Sequence, residues 1–226
     1  MRLKNKIAVF SLLVIIASCK KEKEEPVNFN YEYAPQTIGH YCIYDVMEIT
    51  HDDATNIHDT ITYKLKEKIE SSFIDDQGRP SLRLEQSKLD TATGNWNITD
   101  IWTSTRVTSR YEKFEEDERF IRLAFPVKQD ATWDGNAYNQ IGKWDYKYTD
   151  VDVPRVYNGL NFSQTARVLQ MDEFNFVQKQ LAYEVYAKNV GLVYKYYKYF
   201  TIDSFDSTKA DVGSELYMNI TYYGVE

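Results

Sequence analysis

Apolar and polar positions alternate with period two along most of this chain. The clearest case lies between Ile61 and Ile69. There Ile61, Tyr63, Leu65, Glu67 and Ile69 share one side, and Thr62, Lys64, Lys66 and Lys68 share the other. That is the pattern of a half-buried antiparallel strand with lysines outward. Segments 41–49, 81–88, 96–108, 119–127, 144–153, 162–171, 181–187, 192–202 and 215–223 are similarly rich in strand-forming side chains, which suit a pleated surface. Turn residues separate them, as in Asp75-Asp76-Gln77-Gly78-Arg79-Pro80, Thr93-Gly94-Asn95 and Lys188-Asn189-Val190-Gly191. Five of the seven residues from Glu112 to Glu118 are acidic, which predicts a solvated connection. About ten strands result, with no long amphipathic helix and no fixed-period repeat. The expected fold is all-β and antiparallel, a barrel or strongly curved sheet (lipocalin-like or half-barrel), with a β-sandwich as the alternative.

The first 18 residues break this pattern. Arg2, Lys4 and Lys6 precede an almost wholly apolar run from Ile7 to Ile16, and Ala17, Ser18 and Cys19 follow. A run of about 10 apolar residues is too short to span a bilayer, which takes about 20, so residues 1–18 read as a signal peptide. Ile16-Ala17-Ser18-Cys19 resembles the lipobox of bacterial lipoproteins. The resemblance implies a diacylglyceryl group on Cys19, cleavage before it, and a lipid bilayer as the first partner. Residues 20–25 are all charged and Pro26 follows. Such a stretch cannot bury apolar surface, so residues 19–37 are expected to form a lipidated cysteine and a flexible tether. Residues 38–226 would be a single β domain. The acidic cluster beyond Cys19 also resembles the signal that carries many Bacteroidota lipoproteins to the outer face of the outer membrane.

Charge and cysteine content narrow the function classes. Loss of the leader removes three basic residues and no acidic one, taking the net charge from −7 to −10. Such an acidic chain is a poor ligand for nucleic acid. Beyond Cys19 the one remaining cysteine is Cys42, in Tyr-Cys-Ile-Tyr, which reads as a small core residue. With Cys19 acylated, no intramolecular disulfide is available.

Candidate chemistry is sparse. There is no Gly-x-Ser-x-Gly, no His-Glu-x-x-His and no phosphate-cradling loop, so no catalytic residue is assigned. Among 34 acidic residues a carboxylate pair is always available and therefore uninformative. Glu184, in an apolar strand, is expected to be paired or at an edge, with a raised pKa as the lesser alternative. His51, Asp52, Asp53, His58 and Asp59 crowd one segment but match no zinc spacing, so no metal or other cofactor is expected. The most distinctive loop is Trp133-Asp134-Gly135-Asn136-Ala137-Tyr138-Asn139. Asp134-Gly135 predicts a tight turn needing positive φ at Gly135. The aromatics around it either plug one end of the sheet or stack a ligand, which makes Trp133, Asn136, Tyr138, Trp144 and Tyr146 the candidate ligand-binding set. Aromatics make 15% of the chain, with tyrosines concentrated near the C-terminus; consecutive strand residues face opposite sides, so some of these are expected to be exposed or to line a cavity, with filling of a barrel core as the alternative.

Phe125-Pro126-Val127 followed by Trp133-Asp134-Gly135-Asn136, together with residues 184–194 (EVYAKNVGLVY) and Gly39-His40-Tyr41-Cys42-Ile43-Tyr44, resembles a group of Bacteroidota lipoproteins. Cys42 stands where that group usually has an aromatic. The resemblance covers most of residues 38–200. It implies a shared fold and no activity, because the group has none assigned. The expected function is that of a non-enzymatic, membrane-anchored lipoprotein of the outer membrane, open to the cell surface, with an amphiphilic or lipidic ligand, or a glycan, in a β cup. A structural or interaction subunit of an envelope assembly, with an envelope protein as partner, is the alternative. A glycan or lipid hydrolase ranks last.

Overall fold

In the computed structural model of the chain the described residues are 26–203 and 206–226, apart from the side chains of 203 and 206–210. The leader, Cys19 and the charged run to Glu25 lie outside them. Twelve strands follow one another: β1 (His40–Asp52), β2 (Ile57–Ile74), β3 (Pro80–Leu89), β4 (Trp96–Val107), β5 (Arg110–Glu115), β6 (Glu118–Ala124), β7 (Thr132–Asp134), β8 (Asp145–Tyr157), β9 (Leu160–Phe174), β10 (Gln178–Ala187), β11 (Gly191–Asp203) and β12 (Asp206–Val225). All belong to one antiparallel sheet in the order β6-β5-β4-β3-β2-β1-β12-β11-β10-β9-β8-β7. Each half is an up-and-down meander, and a long β1–β12 ladder from His40↔Val225 to Asp52↔Val212 joins them. The sheet curls into a nearly closed barrel, and a sandwich of two sheets is excluded by this single continuous order.

Two of the twelve strands escape the pattern of the sequence. The acidic stretch expected to be a solvated connection is instead the β5–β6 hairpin, turning at Glu116 and Asp117 with left-handed φ of 48° and 61°. Glu112 and Glu115 are buried because arginines meet them: Arg79, Arg110 and Arg119 surround Glu112, and Arg122 pairs with Glu115. The other is β7, only three residues long, which edges the sheet beside β8.

The packed domain also begins earlier than composition indicates. Within the expected tether, Tyr31–Tyr33 form one 3-10 turn, and Tyr33 and Ala34 are buried. Apolar side chains at 29, 31 and 33 outweigh the charged run before them. Phe29 stacks on Tyr31, whose ring packs edge-on against Phe125. Tyr31 donates to the Thr108 carbonyl, Arg106 donates to the carbonyls of Tyr31 and Ala34, and the Asn189 amide donates to the Glu32 carbonyl. This segment therefore plugs the barrel end where β1 begins and β10 turns into β11.

The tyrosines divide between two faces. Tyr44, Tyr63, Tyr111 and Tyr186 point into the barrel. Tyr183, Tyr194, Tyr196 and Tyr217 flank inward residues on their strands and so face outward, where their rings pack in series at 4.9–5.8 Å. The tip of the β8–β9 hairpin folds over this outer face. Tyr157 stacks on Tyr194 at 5.1 Å, and Asn158 donates to the Ile220 carbonyl at 3.0 Å.

Candidate functional site

The barrel encloses a cavity of about 370 Å³. Its floor is the plug, with Tyr33, Ala34 and Pro35 beside His40 and Val190. Its mouth lies at the opposite strand ends, where Glu48, Tyr63, Lys88, Asp100 and Glu116 line it. His40 and Glu48 lie eight residues apart on β1, so the cup runs about 25 Å along the strand direction.

One wall is apolar. Cys42, Tyr44 and Val46 of β1, Leu65 of β2, and Leu216 and Met218 of β12 supply it. These residues sit inward because their strands alternate, and the β1–β12 and β1–β2 registers set them side by side: Val46 faces both Met218 and Tyr63.

The wall opposite, on β5 and β6, is charged, and it meets Glu67 of β2 and Glu184 and Lys195 of β10 and β11 at the borders of the apolar strip. Lys113 of β5 reaches across the lumen to Glu67 of β2 at 2.6 Å, and Gln86 of β3 donates to the same carboxylate at 2.8 Å. Arg122 of β6 pairs with Glu115 at 2.8 Å and reaches Glu184 of β10 at 3.6 Å. Lys195 of β11 approaches Glu184 at 3.5 Å, and the Tyr186 hydroxyl donates to it at 2.6 Å. Burial alone would favour neutral carboxyls, but here it is outweighed. For Glu115 the opposing charges of Arg122, Lys113 and Lys195 hold the carboxyl down to about 2. Glu184 is also lowered, against burial, by Arg122 and Lys195. Its raised-pKa alternative is thereby set aside in favour of pairing. Lys113 is raised, because Glu67 and Glu115 overcome its own burial.

Cys42 sits near the floor, its sulfur 3.5 Å from the Val190 carbonyl and 3.8 Å from His40 Nε2. Burial pushes the thiol up to about 12, so it packs as an inert side chain.

The five residues singled out around the Trp133 loop gather at the seam between β6 and β7. The cavity is lined by other residues. Trp133 donates its indole N–H to the Ile121 carbonyl at 2.9 Å, and the Ile121 amide donates to the Gly135 carbonyl at 2.8 Å. Buried Asn136 donates to the Gly142 carbonyl, and Asn139 donates to the Arg119 carbonyl and to Asn136 Oδ1. Tyr138 is half exposed under the Arg110 guanidinium. Trp144 packs against the buried cluster that contains Leu123, Phe125, Tyr148 and Val168, and Tyr146 lies buried edge-on to Trp133. Gly135 lies outside the positive-φ residues, which corrects the reason for a glycine there. A Cβ would fall 2.4 Å from the Tyr146 ring, so close packing and not backbone hand requires it.

The remaining sequence candidate is the β1–β2 hairpin. His51 pairs with Glu215 and His58 with Asp53, each at 3.3 Å. Among the described residues no three His, Cys, Asp or Glu side chains gather to hold a metal ion. The cavity's charged lining escaped the sequence reading, although signals for it existed. Glu67 occupies the inward register of Ile61–Ile69, and Glu184 interrupts an apolar strand.

Fold and cavity define the class: an all-β, nearly closed antiparallel barrel with one apolar and one charged inner wall. No protein-family model and no curated protein matches the chain. Among solved structures the chain is similar to a "putative lipoprotein" from Parabacteroides distasonis ATCC 8503, at 10% identity over 87% of this chain and 100% of that one, with a TM-score of 0.31. A likeness that slight carries no argument about function.

Proposed function

We propose that this protein is a lipid-anchored envelope lipoprotein that binds an amphiphilic small molecule inside its barrel, without catalysing a reaction on it. One observation supports this above the rest. The cavity has the size of a small-ligand site and sets an apolar wall against a charged one, an arrangement that matches a molecule with one apolar and one polar side. The anchor rests on the Ile16-Ala17-Ser18-Cys19 lipobox, since two acyl chains on one residue give stable membrane attachment. The outer membrane is the compartment that the acidic cluster behind Cys19 favours.

Native mass spectrometry of protein purified gently from a bacterial host tests the cup. The expected result is a bound mass that organic extraction removes. A clean apo mass would count against the reading. For the anchor, Cys19→Ala is expected to release the protein from membranes; a variant that still sediments with them would remove the lipobox from the argument.

A further inference from the structure

The two layers of charge in the cup differ in balance, and that difference bears on the ligand. Deep in the barrel, three carboxylates (Glu67, Glu115, Glu184) meet three cations (Lys113, Arg122, Lys195) at 2.6–3.6 Å. That layer is neutral as a whole, and its groups satisfy one another. The mouth is different. Glu48, Asp100 and Glu116 line it with one cation, Lys88. Lys88 sits 4.1 Å over the Tyr63 ring, and the Tyr63 hydroxyl donates to Glu48. Neither Asp100 nor Glu116 takes part in any salt bridge among the described residues, so the mouth carries a net negative charge.

From the mouth, an apolar track descends along β2, β1 and β12 through Val46, Leu65, Met218 and Tyr44. A ligand lying on that track meets alkyl and aromatic surface below and unbalanced carboxylates above. Those carboxylates are half exposed or exposed, so they need no buried partner while the site is empty. A cationic group arriving there gains Coulomb attraction without the desolvation that a buried charge would suffer. An anionic headgroup meets repulsion at the same place, and the deep cations are already paired.

We infer that the cup selects a cationic amphiphile, a single-tailed molecule with an ammonium-type headgroup held at the Glu48–Asp100 mouth and its tail on the β1–β12 wall. This rests on the proposed ligand-binding role of the barrel and adds the charge of the ligand to it.

Isothermal titration calorimetry on the full chain carrying Cys19→Ser, which keeps acyl chains out of the assay, separates the two claims. The probes are dodecyltrimethylammonium, dodecanol and dodecanoate, each below its micellar concentration. The ammonium compound is expected to bind about tenfold more tightly than dodecanoate at low salt, with dodecanol between them. Glu48→Gln with Asp100→Asn is expected to shrink that preference to about twofold, and higher salt to reduce it in the wild type. Both sites tolerate the change sterically, and unchanged far-UV circular dichroism verifies folding. Dodecanoate binding as tightly as the ammonium compound would overturn the charge selection and leave the cup standing. A cation preference untouched by the double variant would overturn the mouth as its source. Absence of binding by all three probes would overturn the cup itself.

Discussion

At the scale of single residues, close approach can require a glycine where backbone conformation does not. Gly135 illustrates it. Read from Asp134-Gly135, the residue should need a positive φ; in the structure it makes room for the Tyr146 ring, which would lie 2.4 Å from an added Cβ. Gly135→Ala is therefore expected to destabilise the protein by about 1–3 kcal/mol through overpacking, visible as a lower denaturation midpoint. An unchanged midpoint would mean that the ring moves aside freely. Gly191 is the contrasting case, with φ of 91° at the start of β11 and Pro35 in contact range of an added Cβ. Turn chemistry predicted that one correctly, because the Lys188-Asn189-Val190-Gly191 signal is local.

At the scale of elements, alternation carries through. In β2, Tyr63, Leu65, Glu67 and Ile69 all line the cavity, as their common register requires, while Ile61 is 54% exposed near the strand's outer end. Leu65→Lys would bury an unpaired ammonium against the apolar wall and is expected to cost about 3 kcal/mol or more. Lys64→Ala, which removes only an exposed pair with Asp45, should cost less than about 1 kcal/mol. Equal melting temperatures for the two variants would contradict the face assignment. The β5–β6 hairpin shows where alternation alone falls short. Glu112 and Glu115 read as solvated because three of the four arginines that bury them lie outside their strand, at 79, 119 and 122, with Arg110 alone on β5 itself.

At the scale of the whole molecule, the ion pairs that cross the lumen couple distant strands. Glu115, with its carboxyl at about 2, and Glu184, also lowered, bind protons more weakly in the folded barrel than in the unfolded chain. Their contribution is complete above the unfolded carboxylate pKa of about 4.3 and is lost as pH falls toward about 2. Thermal stability should accordingly drop steeply between about pH 4.5 and 2. Arg122→Met should cost about 3 kcal/mol or more near neutral pH, because it leaves Glu115 and Glu184 buried without their main cation, and it should flatten that acid dependence. A variant with the wild-type acid profile would show that the network does not control it.

What the sequence determined by itself is what depends on neighbours along the chain. Period-two patterning set the strands and their inward faces, Gly, Asn and Asp set the turns, and the apolar leader ending in Cys19 set the expected route and anchor. The tertiary structure decided what depends on strands meeting across space. It joined the two halves of the sheet at β1–β12, which lie at opposite ends of the domain sequence. It stitched the β6–β7 seam with Trp133 and Asn139, and turned residues 29–37 into a floor. Most of all it decided the cup, because Glu67 meets Lys113 and Arg122 meets Glu184 only when curvature brings their strands face to face. Burial of a charge is set by its partner, and no period in the chain records a partner several strands away.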